Sequence, residues 1–452
     1  MRKLFGTDGI RGVAGKEISA DLAFRLGNAI AQIVLKDGIK DLMLAKDTRI
    51  SCDMLEAAVA SGAASGGMNV KCCSVMPTPA LAKITDINQS AGVMISASHN
   101  SFEYNGLKVI KNGFKLPDCE EEEIEDIILA GSIKAQTHHE LGRISAYPEA
   151  RGLYLRWIYK HFDDLDLAGF PVESDTKQLH IVFDASNGAS FSIAPEVYRT
   201  LGAKVTLINA NPDGYNINLN CGSQHTQTLA DTVVELNADI GIAHDGDADR
   251  CILIDETGRE VDGDKIMAIT ANYYRESNRL TNDLVIATVM SNLGFEKYVS
   301  ERGMNLVRTR VGDRYVLEEM KKLGAMIGGE QSGHIIYFDR NTTGDGLITS
   351  LTVLETMNHF GKKLSSLIND IPRFPQVLKN IRIHDKEKVM ESAQLSEALE
   401  RARDILKNTG RILIRPSGTE PLIRIMIEGN NEEQITELAN DLLATVEGIN
   451  AR

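Results

Sequence analysis

Short apolar runs recur along this chain, bounded by polar or small residues and separated by stretches with helical spacing. Three times the same succession appears. The first set is Leu42–Ala45, Val70–Val75 and Val93–Ile95; the second is Ile181–Phe183, Val205–Ile208 and Ile240–Ala243. The third is Leu284–Ala287, Leu306–Val307 and Met326–Ile327. Runs of this length read as buried strands. With helical stretches such as Asp53–Ala64 and Asp313–Leu323 between them, they predict βαβ units and largely parallel sheets.

The third strand of each set runs into the most polar loop of that set. These loops are Ser96-Ala97-Ser98-His99-Asn100, His244-Asp245-Gly246-Asp247-Ala248-Asp249-Arg250 and Gly328-Gly329-Glu330-Gln331-Ser332-Gly333-His334. Ligands of open α/β sheets sit beyond the carboxyl ends of the strands. Three equivalent strand ends loaded with polar groups therefore predict three similar α/β domains, with mainly parallel mixed sheets, around one cleft.

The breaks between sets give domain boundaries. Tyr147-Pro148 closes a first domain at residues 1–150, and a hairpin-like link from Asp255 to Gly263 closes a second at 151–256. The third, 257–371, ends at Pro372 and Pro375, which read as a hinge. Residues 372–452 read as strand, helix, two strands and helix, a smaller α+β domain. The acidic run Asp118–Asp126 reads as a helix start, with Ile124, Ile127 and Ile128 on its buried face.

Composition narrows the class. A chain of 452 residues is too long for one hydrophobic core. A net charge of -14 argues against a broad nucleic-acid surface but leaves room for a locally basic pocket and an anionic substrate. Gly6, Asp8 and Gly9 interrupt any signal-peptide core, and no apolar run reaches membrane-spanning length. The six cysteines form no C-x-x-C pair, which suits a reducing cytoplasm. The expectation is a cytoplasmic protein with neither nucleic acid nor membrane as partner.

Candidate chemistry concentrates in the polar loops. Ser98, carried by a strand into such a loop, is a candidate nucleophile, although Ser and Asn fill plain turns as well. His99 is not expected to serve as its base, because neighbours in an extended segment point apart. Asp245, Asp247 and Asp249 alternate, so an extended loop would bring three carboxylates to one side, where they need a cation. Oxygen ligands select a hard ion, Mg²⁺ or Mn²⁺. An EF-hand is excluded, since Arg250 stands where its loop needs glycine. Arg415-Pro416-Ser417-Gly418-Thr419-Glu420-Pro421 serves either as a tight hairpin or as a phosphate cradle. Gly6–Gly12 is a glycine-rich loop with one cation, Arg11, and it matches no nucleotide-binding fingerprint. No G-x-S-x-G or H-E-x-x-H occurs, against a serine hydrolase or a zincin.

Taken in order, Gly6–Gly12, Ser96–Asn100 with Asn105-Gly106-Leu107-Lys108, Asp245–Arg250, Gly328–His334 and Arg415–Pro421 resemble the motifs of the α-D-phosphohexomutases over nearly the whole chain. Arg308–Arg314 and Arg415–Thr419 resemble the glucosamine branch of that family. The resemblance implies interconversion of glucosamine 6-phosphate and glucosamine 1-phosphate through a bisphosphorylated sugar, which also serves as activator, feeding UDP-N-acetylglucosamine synthesis. It implies that Ser98 is the phosphoserine and that Asp245, Asp247, Asp249 and the phosphate of Ser98 hold one Mg²⁺ per chain. Arg11, Lys108 and Arg250 would steady charge at the reacting phosphoryl, with His334 a proton carrier. Glu330 and Ser332 would read sugar hydroxyls, while Arg415, Ser417, Gly418, Thr419 and Arg424 would bind the idle phosphate. Reorientation of the bisphosphate would need the hinged fourth domain to loosen, in a monomer or homodimer. Ser101, where the family commonly has proline, and Ala248, where glycine is frequent, depart from the pattern. Rival readings are a phosphomannomutase or phosphoglucomutase, and a catalytically silent sugar-phosphate-binding homologue.

Overall fold

The computed structural model describes residues 4–6, 8–170, 178–407, 409–416 and 422–450. The chain packs as two compact units, Met1–Thr288 with Val307–Asn369, and Val289–Leu306 with Asp370–Arg452.

All three predicted sets of strands form. The first sheet contains Asp41–Lys46, Asn69–Val75 and Ala91–Ile95, the second His180–Asp184, Lys204–Ile208 and Ile240–His244. The third contains Leu284–Thr288, Asn305–Thr309 and Ile327–Gly329. In each sheet the first strand lies between the second and the third, and a fourth strand borders the third. The fourth strands are Tyr104–Lys111, Cys251–Asp255 and Ile335–Tyr337, and each is antiparallel to its neighbour. The first strand pairs parallel with the third in all three sheets. The repeated unit is thus a parallel crossover core with one hairpin, and the three polar loops are the turns of those hairpins.

Burial explains why these segments are strands. Ala91–Ile95, His180–Asp184, Ile240–His244 and Leu284–Thr288 are buried at every position. Such two-sided burial belongs to central strands covered by helices on both faces. One covering helix, Ala20–Val34, starts at Ser19, whose side chain accepts from Leu22 N at 3.2 Å. It packs Leu26 and Ile30 into a core shared with Leu55 and Val59 of the helix Cys52–Ser65.

Two differences from the sequence reading concern local geometry. Within the Gly6–Gly12 loop, residues from Ile10 onward form an edge strand, Ile10–Val13, in register with Tyr104–Leu107. The acidic run does form the helix Asp118–Leu129 with Ile124 and Ile128 buried, but Glu125 is buried too. Its Oε2 accepts from the backbone N–H groups of Leu4 and Phe5 at 2.9 and 3.1 Å, tying down the N-terminal segment.

In the second unit, Gln376–Arg382, Leu422–Gly429 and Gly410–Pro416 form an antiparallel sheet with Leu422–Gly429 in the centre. The helices Ala393–Leu406 and Glu432–Asn450 bury Leu395, Leu406, Leu438 and Leu442 against Ile423, Ile425 and Ile427. Among the described residues no helix is long and apolar enough to cross a membrane.

Candidate active site

Ser98 lies just past the end of Ala91–Ile95, where the chain turns back towards Tyr104–Lys111. Its φ is +51°, a left-handed conformation that non-glycine residues seldom adopt. The side chain is buried, and its Oγ donates to Asp245 Oδ2 at 2.5 Å. The candidate nucleophile of the first loop and the first carboxylate of the second are therefore in direct contact. The same left-handed turn corrects the expectation that His99 points away. The loop is not extended, and Nδ1 of His99 lies 3.4 Å from Ser98 Oγ. Burial, with Arg250 and Arg11 nearby, lowers the His99 pKa to about 3 and keeps the ring neutral near pH 7.

The aspartates converge for a different reason than period-two alternation. The segment is a turn, closed by Ala248 N donating to Asp245 O at 3.1 Å, with Ala248 at φ +57°. Ala248 thus occupies a conformation that glycine adopts without strain. One carboxylate oxygen from each of Asp245, Asp247 and Asp249 lies within 4.8 Å of the others, and all three residues are buried. Burial and the charges of Asp249 and Asp247 push Asp245 well above the usual carboxylate range. For Asp247 burial acts in the same direction, but Lys108 outweighs it and holds the group below that range. Lys108 Nζ lies 2.8 Å from Asp247 Oδ2, 3.0 Å from Asp8 Oδ2 and 3.6 Å from Asp249 Oδ2. Thr78 Oγ1 donates to the same Asp247 oxygen at 2.6 Å. Asp247 Oδ1 and Asp249 Oδ1 are buried without hydrogen-bond partners. Convergent, partly unsatisfied carboxylate oxygens fit a small hard cation.

Beside this cluster is a cavity of about 220 Å³ lined by Asp8, Arg11, His99, Asp249, Arg250, Val311, Gly312, Asp313, Glu330 and His334. All three hairpin loops contribute to it. Arg11 Nε, Arg250 Nε and both ring nitrogens of His334 are buried without hydrogen-bond partners, as if awaiting a polar ligand. Glu330 accepts from Gly312 N at 2.9 Å, and Ser332 Oγ lies 3.4 Å from Glu330 Oε2. The structure thus gathers Ser98, Arg11, Lys108, Arg250, Glu330, Ser332, His334 and the three aspartates around one place.

Six further residues stand there that are not among the sequence candidates: Asp8, Asp47, Arg49, Thr78, Lys115 and Asn218. Lys115 bridges Asp8 and Asp313. For Asp47 and Arg49 a signal existed, because they directly follow the strand Asp41–Lys46, at the carboxyl end where α/β sheets place their sites. Lys115 and Asn218 carry no such mark.

In the second unit, Arg415 and Arg424 are opposed in register on adjacent antiparallel strands. The predicted companions Ser417, Gly418 and Thr419 lie outside the described residues.

Comparison with known proteins fits this arrangement. Four models of the phosphoglucomutase/phosphomannomutase family match in order: α/β/α domain I at residues 2–134, domain II at 160–258, domain III at 262–374 and the C-terminal domain at 378–445. The chain belongs to this family. Among its phosphoglucomutase/phosphomannomutase relatives, a phosphoglucosamine mutase of Thermosipho africanus is 47% identical over 97% of each chain. Another, of Carboxydothermus hydrogenoformans, is 48% identical over 99% of this chain and 100% of its own length. Mutases of this kind are isomerases. The crystal structure of a phosphoglucomutase/phosphomannomutase family protein from Burkholderia thailandensis shares the fold, with a TM-score of 0.81 at 22% identity over 99% of this chain and 98% of that one. So does Aspergillus fumigatus N-acetylphosphoglucosamine mutase, solved with GlcNAc-6P and magnesium, at a TM-score of 0.65 and 15% identity over 100% of this chain and 96% of that one.

Proposed function

We propose that this protein is a phosphoglucosamine mutase, interconverting glucosamine 6-phosphate and glucosamine 1-phosphate in the cytoplasm. The observation that carries the reading is the contact of Ser98 Oγ with Asp245 at the edge of a buried carboxylate cluster, in a chain whose 47–48% identical relatives bear that name. Ser98 carries the phosphoryl group and passes it to the free hydroxyl of the bound sugar phosphate, giving a bisphosphate. The bisphosphate turns over in the site and returns its other phosphoryl to Ser98.

Phosphoryl transfer asks a protein mainly for positioning and charge stabilisation. Lys108, Arg11 and Arg250 supply positive charge, and His334, in the wall of the cavity, accepts or returns the proton of the attacking hydroxyl. Glu330 and Ser332 take sugar hydroxyls. Asp245, Asp247 and Asp249 hold one Mg²⁺, which when bound neutralises charge on the phosphoryl oxygens. Arg415, Ser417, Gly418, Thr419 and Arg424 hold the idle phosphate in either orientation. The four domains end near residues 150, 256, 371 and 452, and the last moves on its hinge during reorientation.

The test is an assay of the purified protein on glucosamine 6-phosphate with catalytic bisphosphate and Mg²⁺. Formation of glucosamine 1-phosphate is expected, with kcat/KM above that for mannose or glucose phosphates. Preference for mannose 1-phosphate or glucose 1-phosphate would replace this reading with phosphomannomutase or phosphoglucomutase. Tight sugar-phosphate binding with no turnover would replace it with a silent homologue.

A further inference from the structure

We propose that Arg49, together with Asn218, is a positioning residue that fixes the Ser98 loop against the aspartate loop. The proposal deepens the mutase reading and rests on it for its kinetic part. Arg49 is a fully buried guanidinium whose Nε donates to Asp47 Oδ2 at 2.9 Å. The rest of its fork is spent on backbone carbonyls of the Ser98 loop. One terminal nitrogen donates to Ser98 O at 2.9 Å and Asn100 O at 2.8 Å, and the other donates to Ser101 O. Asn218 Nδ2 donates to the same two carbonyls, Ser98 O at 2.8 Å and Asn100 O at 2.9 Å. Each carbonyl is therefore held by one side chain from the first α/β domain and one from the second.

The opposite side of the residue is tied as well. Ser98 N donates to Ser96 Oγ at 2.9 Å, and Ser96 Oγ donates to Asp47 Oδ2 at 2.6 Å. Asp47 thus anchors Arg49 and, through Ser96, the amide of Ser98. This closed circuit accounts for the left-handed backbone at Ser98, which an L-residue does not keep without external support.

The circuit also spans the two sheets. Thr48 Oγ1 donates to Asn187 O at 2.5 Å, and Ile50 N to Gly214 O at 2.9 Å. A Cβ on Gly246, in the aspartate loop, would lie 2.5 Å from Ser98 O and 2.9 Å from Asn218 Nδ2. The Ser98 carbonyl is thus pressed against the aspartate loop at the point where Asn218 holds it. Arg49 is fully buried and spends its fork on Asp47 and the loop carbonyls, and Asn218 Nδ2 is spent on two of the same carbonyls, so both side chains act on the Ser98 loop. A lysine cannot replace the clamp, because its ammonium is a point charge, whereas the guanidinium fork reaches three carbonyls and a carboxylate at once.

In-line transfer is sensitive to misplacement, with about 1 Å able to cost roughly a hundredfold in rate. Loss of the clamp should therefore lower kcat and spare KM. The test compares wild type, Arg49→Lys and Asn218→Ala by amide hydrogen exchange read by mass spectrometry, and by steady-state kinetics on glucosamine 6-phosphate at saturating bisphosphate and Mg²⁺. In both variants the peptide covering residues 96–104 should exchange about tenfold faster or more, with the C-terminal unit unchanged. The kcat should fall about tenfold or more, while KM moves less than about threefold. Wild-type exchange in that peptide of a folded variant would overturn the proposal. So would faster exchange with kcat within twofold of wild type, or a rise in KM with kcat unchanged. If Arg49→Lys does not fold, Asn218→Ala, which is partly exposed, decides alone. The exchange measurement needs no turnover, so an inactive wild type would overturn the mutase reading while the clamp is still judged by exchange.

Discussion

Arg415 and Arg424 stand directly opposite one another on the two adjoining antiparallel strands of the C-terminal sheet. Opposed residues of an antiparallel pair project from the same face. Two guanidinium groups therefore leave the sheet at one level. A phosphate bound between them would draw on both charges and suit the planar fork of each.

Arg415→Ala should accordingly lose roughly ten- to a hundredfold in kcat/KM, the rate equivalent of a charge-assisted hydrogen bond of about 1.5–3 kcal/mol. The loss is expected from glucosamine 6-phosphate and glucosamine 1-phosphate alike, since one clamp serves both orientations. Calorimetric Mg²⁺ binding should be unchanged. Impairment from one sugar phosphate alone would assign Arg415 to a one-sided contact.

Ser98→Ala should abolish turnover and leave the fold intact. Intact mass of active wild type should show one added phosphate, mapped to Ser98 by peptide analysis. Near-wild-type turnover in verified Ser98→Ala protein would refute its role as phosphoryl carrier.

Chelation should abolish activity and Mg²⁺ restore it. Binding should also raise thermal stability, by about 2.7 kcal/mol at a hundredfold excess over Kd. Asp247→Asn removes a carboxylate shared by the cluster, Lys108 and Thr78. Its Mg²⁺ affinity by calorimetry should fall at least tenfold. Unchanged affinity would remove Asp247 from the ligand set.

Asp345 gives a pH signature of its own, beside the aspartate loop, where the next residue's amide, Gly346 N, donates to Ala248 O at 3.0 Å. It caps the helix Gly346–Phe360, accepting from Leu347 N and Ile348 N and, on its other oxygen, from Tyr154 Oη and Asn341 Nδ2. Burial nevertheless raises its pKa to about 6 from an ordinary 3.8. Between those values the folded state holds more protons than the unfolded state, so stability falls as pH rises. The shift corresponds to about 3 kcal/mol, fully present below pH 4 and lost by pH 7. Urea unfolding from pH 4 to 7 should show this decline in wild type relative to Asp345→Asn. Wild-type stability that rises relative to the variant over that range would contradict it.

Much of this architecture was legible because it is written in local patterns. Fully buried strands such as Ala91–Ile95 and Ile240–His244 are short apolar runs, and the polar loops beyond them stand out against that background. The partners of the loops were not legible. Thr78 reaches Asp247 across 169 positions, and Arg49 reaches Ser98 across 49. The first pair arises when two sheets pack and the second when distant strands of one sheet pair, and no spacing rule announces either. Loop geometry was also misread: extended segments were expected around Ser98 and the aspartates, whereas left-handed residues at Ser98 and Ala248 fold both into turns. Those conformations are imposed by tertiary hydrogen bonds, which residue type alone does not encode.

The hairpin placement of the three polar loops bears on how the protein comes into being. Each loop is pinned at both ends by its own sheet, at Ile95 with Leu107, His244 with Cys251, and Gly329 with Ile335. Domains generally fold as units and in order during synthesis. The two ends of each loop are therefore fixed when its own sheet closes, with no strand of that sheet left to arrive from a later part of the chain, while the Ser98 loop still awaits Asn218 from the second domain. The centre matures by the meeting of these pieces, and a ribosome pausing after the first leaves a Ser98 loop anchored at its ends but not yet clamped from the other side.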